Sequence, residues 1–173
     1  MKLISAVILS VTITTSCSLQ NIECSSNWKT TGFYTPVFND FSKGLNKTIK
    51  IKDYKSINFN SGFLKAVKME GWGKTRFGWY LGYYANQWHK EKSPLNALGL
   101  PLKVGAIAVD NKIISKSSTI KIPSMKTIFG LEEFKAVDVG SAIKNKHIDI
   151  YTGEGDDARK LSYKVSGQHQ VCF

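Results

Sequence analysis

From Leu102 to its end, the chain runs in short alternations of apolar and polar residues separated by polar turns. The runs fall at 104–109, 119–122, 134–139, 147–151 and 162–166; a side-chain period of two residues marks each as a β-strand. Strands this short, with no strong helical pattern between them, would leave several open edges unless the sheet closed on itself. The chain is therefore read as mainly β, with a closed barrel as its organising element.

The stretch 134–155, FKAVDVGSAIKNKHIDIYTGEG, holds two of these runs and a turn region containing Gly140 and Asn145, which predicts two strands and a tight connection. In the second run Ile148 and Ile150 share one face, while His147, Asp149 and Tyr151 share the other. Alternation alone leaves two readings of Asp149. It is a solvated carboxylate on the polar face of a half-buried strand, or an acid mounted on a rigid element whose other face is core.

The first seventeen residues, MKLISAVILSVTITTSC, carry one lysine, an apolar stretch from Leu3 to Ile13 and then small polar residues. That layout is too short for a membrane span and predicts a secretory signal over 1–16, followed by a single domain over 25–173. Acylation of Cys17 is the one route to a membrane. The other two cysteines, Cys24 and Cys172, form an even pair at the ends of the mature chain, and export to an oxidising compartment predicts a disulfide between them. Lys and Arg outnumber Asp and Glu by 24 to 13, a formal net charge of +11. The lysines are scattered and not gathered on one arginine-rich helix, so no nucleic-acid partner is expected. A basic exported chain suits an anionic envelope polymer, although such charge also serves plain solubility.

Before the β-rich half, TTGFYTP at 30–36 reads as a strand entering a turn, and 61–70 as a short helix capped by Ser61 and stopped by Gly71. An aromatic-dense segment follows, with Trp72, Phe77, Trp79, Tyr80, Tyr83, Tyr84 and Trp88. Most of these rings are expected inside the barrel, with one or two lining a sugar-binding cleft, because a pyranose ring lays its C–H face on an aromatic ring.

Nucleophile-elbow, phosphate-loop and C-x-x-C signatures are absent, and His89, His147 and His169 lack metal-ligand spacing. No metal or cofactor is expected. Carboxylate chemistry remains, with Asp110, Asp138, Asp149 and Glu70 as candidates.

These residues carry a resemblance. AVD at 108–110 followed by KIISKSSTIKIP, and AVDVGSAIKNKHIDIYTGEG from Ala136, resemble the three-aspartate (3D) domain of the membrane-bound lytic transglycosylase A family. TGFYTP from Thr31 resembles that family's TGYYTP-like motif, Glu70-Gly71-Trp72-Gly73 its QGSG-like stretch, and PLNALGLPL the segment before its barrel. The resemblance implies a six-stranded double-psi β-barrel with short helices, acting on peptidoglycan glycan strands as a monomer. It implies non-hydrolytic cleavage of the MurNAc–GlcNAc β-1,4 bond to leave 1,6-anhydroMurNAc ends. Asp149 would be the single catalytic acid and base, with Asp138 supporting it and Asp110 nearby. Thr31, Tyr34, Glu70, Trp72, Lys144, His147 and Tyr151 would meet the substrate. Two departures stand out. Ser141 and Asn145 occupy positions where the pattern has glycine, and no stretch looks long enough for the second domain that forms the far wall of the groove in larger members. A more open cleft is expected. The alternative is a non-catalytic, expansin-like module that grips glycan without cutting it.

Overall fold

The computed structural model describes residues 22–173; the predicted signal segment and Cys17 lie outside them. Strand β1 (Cys24–Thr35) opens the described chain and contains TTGFYTP's threonines and aromatics. A 3-10 turn (Phe38–Asp40) then leads into a hairpin of β2 (Asn46–Lys50) and β3 (Ser56–Asn60). Helix α1 (Ser61–Glu70) follows, and then a three-stranded meander of β4 (Trp72–Lys74), β5 (Tyr80–Tyr84) and β6 (Gln87–Glu91). The cap of α1 is Asn60 and not the expected Ser61: its side-chain oxygen accepts from the backbone N–H of Gly62 at 2.8 Å and of Phe63 at 3.3 Å. Gly71 ends the helix at φ 88°, a conformation for which a Cβ-bearing residue is poorly suited.

The remainder is β7 (Ala106–Val109), β8 (Thr119–Lys121), α2 (Met125–Phe129), β9 (Glu133–Asp138), β10 (His147–Glu154), α3 (Gly155–Lys164) and β11 (Gly167–Cys172). Six strands close into a barrel in the order β1-β10-β7-β9-β8-β11. Two of the pairs, β1 with β10 and β7 with β9, are parallel, and the other register pairs are antiparallel. Closed pairing removes the exposed edges that so many short strands would otherwise present. The barrel core is mostly aliphatic, with Ile107, Ile120, Ile148, Ile150 and Val171 essentially sealed from solvent beside Trp28 and Phe134.

The expected tight connection between 134–139 and 147–151 is not a hairpin. Strands β9 and β10 do not pair; each lies on a different side of β7, so residues 139–146 pass across the end of that strand. The expected strand at 162–166 is also corrected. Residues 155–164 form α3, and the sixth barrel strand is β11. A helix was legible there in the acidic Asp156 and Asp157 of its first turn and the Asp156–Lys160 pair one turn apart. Helix α3 lies directly on β1: a Cβ at Gly32 would come within 2.6 Å of the Ser162 backbone, which is why the strand has glycine there.

Residues 37–103 leave the barrel. The hairpin, α1 and the meander enclose a second core of Ile49, Ile51, Phe59, Phe63, Val67 and Leu81, against which Phe38, Phe41, Trp79 and Trp88 pack. The aromatic-dense segment is thus the body of an inserted lobe and not the filling of the barrel. A disulfide joins Cys24 to Cys172, register partners on β1 and β11, so the two ends of the described chain are stapled as expected. Closing a loop of this length stabilises a fold by about 5 kcal/mol on the chain-entropy estimate.

Candidate functional site

Barrel and lobe face each other across a cleft of about 780 Å³. This volume is within the range of sites that bury a small ligand. The stretch that looked too short to supply a second wall supplies one, since the rings of 59–88 give the lobe a core of its own. Asp149, Asp138, Ala108 and Ser141 line the barrel side; Glu70, Trp72, Tyr83 and Tyr84 line the lobe side.

Asp149 stands on β10 between the buried Ile148 and Ile150, so its own backbone is anchored in the barrel core. Parallel pairing sets it opposite Thr31 of β1, whose hydroxyl donates to Asp149 Oδ1 at 2.6 Å. The same hydroxyl oxygen lies 3.0 Å from His147 Nε2. A hydroxyl has one proton, so when it serves Asp149 its contact with His147 requires the imidazole N–H to donate. Among the described residues, Asp149 Oδ2 has no hydrogen-bond partner. Burial pushes the Asp149 carboxyl above the usual carboxylate range, against the opposing pull of the Thr31 hydrogen bond and the His147 and Lys29 charges. Thr31 therefore fixes the carboxyl's position, while burial, working against that same bond, favours its protonation.

Asp138 ties the two walls together. Its Oδ1 accepts from the backbone N–H of Val139 at 2.9 Å and of Ala97 at 3.0 Å, the second of these on the lobe side of the cleft. Burial, and then the nearby Asp149 charge, raise its pKa in spite of those two donors. Ala97 belongs to a turn that Asn96 organises by accepting from the N–H groups of Leu98 and Leu100 at 2.9 and 3.1 Å. From sequence this turn was noted only within PLNALGLPL and none of its residues was given a role at the site, although Asn96 followed by Gly99 is the composition of a turn.

Asp110 is buried but does not line the cleft. Its two oxygens accept from the backbone N–H groups of Lys112 at 3.1 Å and Asn145 at 2.9 Å, and these hold its pKa low. It thereby fastens the 139–146 crossing to the end of β7. Asn145 sits there at φ 59°, a left-handed position that asparagine tolerates better than most residues.

The remaining expected residues divide. Trp72 lines the cleft but is only 8% exposed. Its indole lies on Gly82, where a Cβ would come within 2.5 Å of the ring, and its N–H donates to the Leu95 carbonyl at 2.9 Å, steadying the 95–100 turn. Tyr34 contributes its backbone N–H, which donates to Glu70 Oε2 at 3.2 Å. Glu70 is raised to about 7, first by burial and further by the Asp149 charge. Thr31 and Tyr34 hold lining carboxyls without themselves lining the cleft, and three further residues are also away from its surface. Tyr151 is 3% exposed, packed on Phe33 and bonded to Thr35 Oγ1 at 2.8 Å, and burial pushes its phenol up to about 12. Lys144 is exposed beside Asp110. His147 reaches the site only through Thr31.

Residues 105–172 match the family model of the 3D domain. This part of the chain is similar to that domain. In fold the described residues resemble solved lytic transglycosylases of the MltA type. The chain aligns with E. coli MltA bound to chitohexaose at a TM-score of 0.62 and 16% identity, over 85% of this chain and 71% of that one. A membrane-bound lytic murein transglycosylase from Agrobacterium tumefaciens aligns at 0.59 and 14% identity, over 84% and 73%. MltA from Neisseria gonorrhoeae aligns at 0.56 and 15%, over 86% and 72%. No curated protein matches the chain in sequence. The matched residues comprise five of the six barrel strands, and the sixth, β1, lies before the inserted lobe.

Proposed function

We propose that the protein is an exported peptidoglycan lytic transglycosylase, with Asp149 as both acid and base. The observation that carries the reading is the Asp149 carboxyl itself. It is held on the cleft wall by Thr31 through one oxygen, with burial favouring its protonated form. An unperturbed aspartic acid, with a pKa of about 3.9, would be almost fully ionised at neutral pH and unable to donate.

With Oδ1 occupied by Thr31, the proton resides on Oδ2 and is given to the glycosidic oxygen as the bond to the muramyl C1 breaks. The sugar's own 6-hydroxyl then attacks C1 from within the same residue, an intramolecular step favoured by its high effective concentration. The newly formed carboxylate takes the hydroxyl proton and returns to the acid. One carboxyl suffices because no external water has to be activated, unlike the pairs used by ordinary glycosidases. The Thr31 hydroxyl, backed by His147, stabilises the transient carboxylate. Asp138 acts as an organiser by keeping the Ala97 turn against the barrel.

A glycan ligand is supported by the chitohexaose bound to the E. coli relative. Export is supported by the disulfide, which persists in oxidising compartments. Among the described residues no helix is long and apolar enough to cross a membrane. Purified peptidoglycan digested with the mature protein should yield 1,6-anhydro ends by mass spectrometry, and Asp149→Asn should lower their rate by at least about a thousandfold. Binding of the polymer by both proteins with no cleavage by either would leave only a glycan-gripping module.

A further inference from the structure

The aromatic side chains that line the cleft are Phe33, Trp72, Tyr83 and Tyr84. The first three are engaged within the fold. Phe33 packs on Tyr151 at 5.3 Å between ring centres, and the Trp72 indole is buried against Gly82. Tyr83 has the Trp88 ring at 4.7 Å and the Lys68 ammonium at 4.3 Å from its own centre. Tyr84 differs from all of them. It is 46% exposed and belongs to neither the barrel core nor the lobe core.

Its place is nonetheless fixed. Tyr84 ends β5, and Ala85 and Asn86 follow at φ 49° and 60° before Gln87 opens β6 opposite it. Two successive left-handed residues make the tight turn whose twist matches that of a hairpin. Period two puts Tyr84 on the same side of the meander as Gly82, on which the Trp72 indole lies, and the Tyr84 and Trp72 rings stand 5.9 Å apart. From β6, the His89 imidazole lies parallel to the Tyr84 ring, with 3.6 Å between centres and 7° between planes. A carbonyl only accepts, so it is the His89 Nε2–H that donates to the Tyr84 carbonyl oxygen at 3.2 Å. One face of the phenol is thus backed by a second ring. Its hydroxyl has no hydrogen-bond partner among the described residues.

The lobe core does not call for this ring, since Leu81, Tyr83 and Trp88 supply the inward side of the same hairpin. A planar side chain held from behind, with an open side and an unpaired hydroxyl at the cleft wall, matches a pyranose. The sugar lays its C–H face on the ring, and the polar tip reaches a sugar substituent. Because His89 and the turn already hold the ring, little freedom is lost on binding.

We propose that Tyr84 is a sugar-stacking residue of the cleft, receiving one pyranose of the glycan strand on the side that His89 leaves open. The inference rests on the glycan reading above and deepens it by naming a residue of the lobe wall that grips the strand. The ring meets a sugar and no reacting atom, so it strengthens ground state and transition state alike. Its loss should therefore raise KM and leave kcat in place.

The experiment titrates chitohexaose, the oligosaccharide bound to the E. coli relative, into the wild-type protein and its variants by calorimetry. Tyr84→Ala should weaken binding by about tenfold. Tyr84→Leu keeps an apolar side chain at the turn and should bind as weakly as the alanine variant, which guards against a loss of fold in the latter. Tyr84→Trp restores a ring and should bind within about threefold of the wild type. On peptidoglycan, Tyr84→Ala should raise KM by about tenfold with kcat within about twofold. Equal affinity in the wild type and both ring-less variants, or a fall in kcat with KM unchanged, would overturn this inference and leave the reading of Asp149 standing. Absence of chitohexaose binding by the wild type would overturn it as well, whereas a peptidoglycan digest without anhydro ends would sink the Asp149 reading separately.

Discussion

The barrel core is mostly branched aliphatic, such as Ile107, Ile148 and Ile150, with Trp28 and Phe134 as its large rings. The inserted lobe instead packs aliphatic residues around Phe59 and Phe63 and under partly buried rings such as Phe38, Phe41, Trp79 and Trp88. The contrast follows from geometry. A narrow closed barrel is filled from inward-facing strand positions, where β-branched residues pack well. The lobe has a hairpin, one helix and a short meander to cover its core, and large rings fill such a space with few residues. Phe63 alone meets Phe38 at 5.3 Å, Phe41 at 5.7 Å and Phe59 at 5.8 Å between ring centres. The two regions also differ in what secures them. The barrel is closed by hydrogen bonding all round and by the Cys24–Cys172 disulfide; the lobe is joined to it by individual contacts. These include the Asp138 bond to Ala97, the Tyr34 N–H bond to Glu70 and, elsewhere, Glu154, which accepts from Lys74 at 2.9 Å and Tyr80 at 2.6 Å. Asp149, the proposed acid, is on the better-secured wall, and the lobe supplies the facing one.

Three measurements would sharpen or break this contrast. Replacing Cys24 and Cys172 by serine should lower global stability in urea unfolding by about 5 kcal/mol; a change below about 1 kcal/mol would mean that barrel closure alone holds the chain ends. Truncating the lobe core with Phe63→Ala should cost about 4 kcal/mol. Hydrogen exchange should then quicken across 46–91 while the amides of β7 and β10 stay protected, and equal quickening in both regions would show a single cooperative unit instead.

The smallest effect concerns Glu70. Its folded pKa of about 7 lies above the ordinary 4.5. Below about 4.5 both states carry the proton and the contribution is fully present. As pH rises towards 7 the unfolded chain loses that proton first, so stability declines across this window and the decline ends once the folded group ionises. After allowance for solvent screening, the expected difference is about 1 kcal/mol, and Glu70→Gln should remove it. A wild-type pH dependence identical to that of the variant would place Glu70 in open solvent and remove the electrostatic contrast between the walls.

Much of the barrel was legible because period-two alternation is local: Ile148 and Ile150 announce the buried face of β10 and Asp149 its opposite. Helix α1 was equally legible from its turn residues. Helix α3 was missed because its packed face is small, Ala158 and Ser162, matched to Gly32 on a strand far away in sequence. The aromatic segment was assigned to the wrong core for a related reason, since ring spacing does not say which partner a ring will meet. Tyr151 shares a face with Asp149 by alternation, yet Phe33 and Leu102 close over one and leave the other at the cleft.

By itself, then, the order of residues determined the strands, the paired cysteines and the three aspartates with their spacing, because each depends on neighbours within a few positions or on residue type alone. Only the tertiary structure decided what each carboxyl does. Asp110 pins a crossing, Asp138 joins two walls, and Asp149 and Glu70 face one groove. Burial and the backbone donors brought to each group come from segments distant in the chain, and those two quantities set whether a carboxyl carries a proton or holds a loop.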